Sequence, residues 1–110
     1  MAQDDYFKIV YVILTELYEC KKQNEKVDMR VISPARFKVP EGYLLDIFEE
    51  MKDEGYVKGF KILNTKTGRC AISLEDISIT MKGIEYIQDN SKMQKVKEVL
   101  KTIKDIAPGL

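Results

Sequence analysis

Four carboxylates, Asp46, Glu49, Glu50 and Asp53, recur at three- and four-residue spacing. On a helix they form one acidic stripe. Such a stripe can hold a divalent cation or dock onto a basic partner, although on a solvated face it far more often only keeps a protein soluble. A second set of charges follows it. Lys58, Lys61, Lys66 and Arg69 lie within twelve residues that contain no carboxylate, a pattern suited to phosphate oxygens. Arg30, Arg36 and Lys38 lie upstream and can extend that basic set. Nucleophilic and general-base chemistry has little to work with. The chain has no histidine, the side chain that titrates near neutral pH. Cys20 falls on an apolar helical stretch and Cys70 at the start of a strand, neither with an imidazole partner. No Gly-rich phosphate loop is present. The expectation is a protein that is not an enzyme, with no cofactor, no metal and no small-molecule substrate.

The elements that position these charges can be read from hydrophobic period and punctuation. Leu44, Ile47, Phe48 and Met51 fall at i, i+3, i+4 and i+7, which gives residues 40–53 a core stripe opposite the carboxylates. Pro40 suits the first helical position, and Gly55 supplies the positive φ just past the helix end. From Tyr56 the period shortens, with Val57, Phe60, Ile62 and Leu63 consistent with the first strand of a hairpin. The tip runs from Asn64 to Arg69 with Gly68 left-handed, and Cys70 to Leu74 returns. Ile77 and Ile79 suggest a last short strand. Thr80 then caps a helix that carries Ile84, Tyr86 and Ile87 inward. Gly83 in its first turn costs about 1 kcal/mol against alanine, which implies close packing there.

Upstream, residues 5–22 read as a helix that is apolar nearly all round, the mark of a helix covered on more than one side. A short strand is expected at Val27–Met29. Ser33-Pro34 reads as a cap and first-turn proline opening a short helix through Phe37. After Ser91, Met93, Val96, Leu100 and Ile103 recur at alternating three and four, a seam flanked by five lysines. It is too short for a free coiled coil. It therefore predicts a C-terminal helix over 91–107 that docks on the first helix or on a second protomer, so a homodimer is expected. Residues 1–90 form the core, and the whole of 1–110 reads as one domain. Helix, tight turn, helix and basic hairpin together give a mainly α, α+β winged helix-turn-helix with a two- to three-stranded wing.

Several stretches resemble the YjcQ-like family of small winged-helix proteins. They are Asp5-Tyr6-Phe7-Lys8-Ile9-Val10-Tyr11 with Leu17-Tyr18-Glu19-Cys20, Ile32-Ser33-Pro34 with Phe37, and Gly55-Tyr56-Val57-Lys58-Gly59. Ile79-Thr80-Met81-Lys82-Gly83-Ile84-Glu85-Tyr86 and the tail from Leu100 to Gly109 complete the set. Met81 stands where the family pattern carries a proline. The resemblance implies a winged-helix fold, a Gram-positive bacterial or prophage setting, and no established activity or binding residues.

The charges cancel at eighteen of each sign but are segregated. Residues 40–54 hold six carboxylates against one lysine, and residues 55–74 hold four basic side chains and no acid. Two partner classes follow from that opposition. One is double-stranded DNA contacted through the wing. With four to six phosphates neutralised, log K would fall with log salt at a slope of about −4 to −5. The other is a basic protein docking on Asp46, Glu49, Glu50 and Asp53. Like charges at 4–6 Å cost on the order of 1 kcal/mol even in water-like surroundings. Wing-led contact, with the acidic helix held away from the groove, is the form DNA binding would take. The N-terminus lacks the basic-then-apolar order of a signal peptide and no apolar run reaches a membrane span. A cytoplasmic setting without membrane contact is expected.

Overall fold

The computed structural model describes residues 5–89. The expected C-terminal helix, with Met93, Val96, Leu100 and Ile103, lies outside the described residues. Within them the chain is α+β with a winged-helix layout. It begins with α1 (Asp5–Gln23), α2 (Pro34–Phe37) and α3 (Glu41–Asp53). β1 (Val57–Lys58), β2 (Lys61–Thr65), β3 (Gly68–Ile72) and β4 (Ser78–Ile79) follow, and α4 (Met81–Asp89) comes last.

α1 is the central element. Ile13 and Leu14 are fully buried and Leu17 nearly so, because α3, α4 and β4 all pack against this helix. Its near absence of a polar face is thereby explained. Each such side chain contributes roughly 1.5–3 kcal/mol on burial. From α3 the stripe Leu44, Ile47, Phe48 and Met51 enters the same core. Phe48 meets Phe60 edge to face, with ring centroids 6.1 Å apart.

Three local expectations change. The segment around Val27–Met29 is not a strand. Asp28 accepts a hydrogen bond from the Arg30 backbone N–H at 2.9 Å and binds its guanidinium at 2.7 Å, which opens a 3-10 turn over Met29–Ile32. A capping carboxylate satisfies donors that a lone strand would leave open. The guanidinium bonds also hold the Asp28 carboxyl down at about 2. Pro40 is the N-cap of α3 rather than its first helical residue.

The third change concerns the hairpin. Val57–Lys58 does not lead into the wing ladder. It pairs instead with β4, Val57 opposite Ile79 and Lys58 opposite Ser78. Gly59, at φ +99°, breaks the strand. A Cβ there would sit 2.2 Å from the Asp76 carbonyl oxygen, so only glycine permits the approach. Phe60 then plugs the core, and a separate ladder runs from Lys61 opposite Ile72 to Thr65 opposite Gly68. The wing tip is the two-residue turn Lys66-Thr67. Its base is stapled by the Thr65 hydroxyl, which donates to the Gly68 carbonyl at 2.6 Å.

The return to α4 matches the sequence closely. The Thr80 hydroxyl accepts from the Gly83 N–H at 3.1 Å and donates to the Gly55 carbonyl at 2.5 Å, tying the start of α4 to the end of α3. A Cβ on Gly83 would lie 2.4 Å from the Tyr56 carbonyl oxygen. The helix-propensity cost of this glycine is therefore the condition for α4 to seat against β1.

Candidate nucleic-acid interface

The acidic stripe and the basic wing were expected to act as separate surfaces. The structure joins them. β3 runs beside α3, and Arg69, opposite Asn64 in the ladder, reaches back across the helix. Its guanidinium lies 2.5 Å from Asp46 Oδ1 and 3.0 Å from Glu49 Oε1, with a longer bond of 3.4 Å to the Gly42 carbonyl. The hydrogen bond to Asp46, more than any other contact, raises the Arg69 pKa above its ordinary value. One wing cation therefore clamps two of the four stripe carboxylates. Among the described residues, Glu50 and Asp53 lie exposed outside that clamp.

Arg36 is likewise committed inside the fold. Its Nη1 donates to Glu16 Oε2 at 2.6 Å and to the Val31 carbonyl at 2.7 Å, tying α2 to α1. The pair is sheltered, with the two side chains 27% and 14% exposed. Ser33 caps the same turn, accepting the Arg36 N–H at 3.3 Å. Arg30 is held by Asp28. Of the upstream basic residues considered for phosphate, Lys38 alone stays outside the ion pairs between described residues. It is exposed and left-handed at the end of α2, with φ +57°.

The lysines of the β-structure differ from the arginines. Lys58, Lys61 and Lys66 are all exposed, and the ion pairs between described residues do not involve them. They occupy the start, the outer strand and the tip of the β-structure. Leu63 and Ile72, 46% and 42% exposed, share a face of the ladder with Lys61 by register. An exposed apolar pair on the wing gave no warning in the sequence, where Leu63 and Ile72 read as ordinary strand residues.

The other flank of α3 holds a groove of about 380 Å³ lined by Tyr6, Phe7 and Val10 of α1, Glu50 and Met51 of α3, Glu54, Tyr56 and Tyr86. Burial, followed by the charges of Glu50 and Asp46, pushes the Tyr6 phenol up to about 12. The aromatic members come from three distant segments, so their convergence could not be read from the chain. Burial also raises the Cys20 thiol, as do Glu16, Glu25 and other nearby carboxylates, so its thiolate is disfavoured. Among the described residues, no three of Cys, Asp and Glu converge to hold a metal ion. No described helix is long and apolar enough to cross a membrane.

A family model described as YjcQ protein matches residues 11–106. The chain belongs to the YjcQ family. No curated protein and no solved structure matches it. Within this YjcQ-family chain the match runs from the second turn of α1 through the wing and α4 and on past Asp89, so it takes in the clamp but not Tyr6, Phe7 and Val10 of the groove.

Proposed function

We propose that this YjcQ-family protein is a prophage-type, transcription-associated DNA binder that meets the duplex through its wing. The observation that carries the reading is the clamp. Arg69 offsets the charge of Asp46 and Glu49, which lessens the repulsion α3 would otherwise exert on a phosphate backbone. Lys61 and Lys66 remain exposed on the wing, Lys58 on β1 and Lys38 at the end of α2. Arg69 and Arg36 act in this reading as positioning residues, not as phosphate contacts. Leu63 and Ile72 supply an apolar surface beside Lys61 of the kind that minor-groove proteins press against sugars and base edges.

Removing two arginines from the contact set changes the expected salt dependence. Four lysines give a slope of log K against log salt of about −3 to −4. The test is fluorescence anisotropy with a random-sequence duplex at about 50 and 200 mM salt. Replacing Lys58, Lys61 and Lys66 by glutamine is expected to abolish most of the affinity and flatten the slope. Full affinity in that variant would remove the wing from the interface.

A second reading rests on Glu50 and Asp53, the stripe carboxylates outside the clamp. They fit a basic protein partner docked on α3. Absence of duplex binding even at the lower salt, with capture of a polylysine probe that is lost in Glu50→Lys with Asp53→Lys, is the result that would favour it.

A further inference from the structure

The groove on the far flank of α3 combines two properties that rarely meet on an uncovered surface. Its walls are aromatic. Tyr6 and Phe7 meet edge to face with centroids 5.4 Å apart, and Tyr56 and Tyr86 lie 4.9 Å apart. Glu50 and Glu54, both exposed, add negative charge to the same lining. Phe7 leaves 52% of its surface exposed at the groove, although aromatic side chains contribute most when covered.

The chain itself contains a segment of matching chemistry. α4 ends at Asp89, and Tyr86 in its last turn already lines the groove. Residues 91–110 hold five lysines against two carboxylates, with Met93, Val96, Leu100 and Ile103 as an apolar seam. Ile87–Asp89 continue α4, so only residues 90–92 connect it to Met93. At up to about 3.3–3.6 Å per extended residue they reach on the order of 10 Å, enough to bring the start of the seam to the Tyr86 end of the groove. Attachment through so short a connection sets an effective concentration in the millimolar range, which favours docking within the chain over capture of a second copy.

We infer that residues 91–110 of the same chain occupy this groove, with their apolar seam against Tyr6, Phe7 and Tyr56 and their lysines facing Glu50 and Glu54. This occupant covers the exposed ring of Phe7 and neutralises the acidic flank that the Arg69 clamp leaves open. The inference is independent of the DNA-binding reading, which concerns the wing on the other flank.

The chain has no tryptophan, so Phe7→Trp in the full-length protein places a single emission reporter in the groove. Its emission is expected to lie to the blue of an exposed indole and to be quenched severalfold less by acrylamide than in the same chain carrying Val96→Asp and Leu100→Asp. The protection should be independent of protein concentration. Glu50→Lys with Glu54→Lys, which leaves the seam intact and alters only exposed positions, should release the reporter in the same direction. Emission typical of exposed indole that neither pair of substitutions changes would overturn the inference. Protection that grows with protein concentration would also overturn it, since a second copy would then be the occupant.

Discussion

The two ladders among the described residues have the same antiparallel pairing and are held by different means. β1–β4 is only two residues deep, yet Val57 and Ile79 are buried at 3% and 0% exposure, and Gly83 lets α4 close against Tyr56. β2–β3 is five residues deep and has no fully buried residue. Its long-range tie to α3 is the Arg69 clamp. Ladder length does not decide which strand pair is structural. Burial decides it, because apolar area removed from water outweighs hydrogen bonds that merely replace those made to water. The short ladder belongs to the core, and the long one is an arm held at the core's edge by half-buried Ile62 and by the Arg69 charge pair.

The largest expected effect lies in the buried ladder. Gly83→Ala recovers about 1 kcal/mol of helix propensity, but its methyl meets the Tyr56 carbonyl oxygen. A net loss of about 1–3 kcal/mol is expected from overpacking, read as a lowered midpoint in urea unfolding. A raised midpoint would show that α4 sits more loosely on β1 than described.

Arg69→Met should do the reverse. The urea midpoint should move little, since the clamp is solvent-exposed, while amide exchange in β2 and β3 quickens. Duplex affinity should fall because Asp46 and Glu49 lose their compensating cation, yet the salt slope should not change. A slope reduced by about 1 would mean that Arg69 itself contacts phosphate, and the contrast between clamp and contact would fail.

The smallest effect concerns the opposite flank of α3. The Tyr6 phenol is raised from 10.0 to about 12, first by burial and then by Glu50. Its neutral form is favoured in the folded state, so its contribution to stability is complete below pH 10 and lost as pH rises toward 12. Phenolate absorbance should therefore show a late-titrating tyrosine that Tyr6→Phe removes. Glu50→Gln should bring that step down but leave it above 10, because burial is the larger cause. No change on Glu50→Gln would separate the groove from the acidic stripe.

Much of the fold was legible because its signals are local. The α3 stripe of Leu44, Ile47, Phe48 and Met51, the Ser33 cap, the Thr80 cap and the tight site at Gly83 each depend on residues within a few positions of one another. The strand expected at Val27–Met29 failed because Asp28 finds its donors two residues on, a capping choice that competes directly with an extended chain. The hairpin misread at Gly59 has a different origin. Val57 looks like a wing residue until β4, about twenty residues later, claims it as a partner.

The candidate site was legible in its charges and not in their partners. By itself the sequence determined the winged-helix layout, the acidic and basic segments, and the lack of an imidazole for catalysis, since composition and period need no third dimension. Tertiary structure alone decided that Arg69 faces Asp46 and Glu49, that Arg36 is drawn inward to Glu16, and that Tyr6, Phe7, Tyr56 and Tyr86 share one groove. The reason is physical. A charge acts on whatever lies within a few ångströms of it, and it is the packing of the core that sets which distant segments come that close.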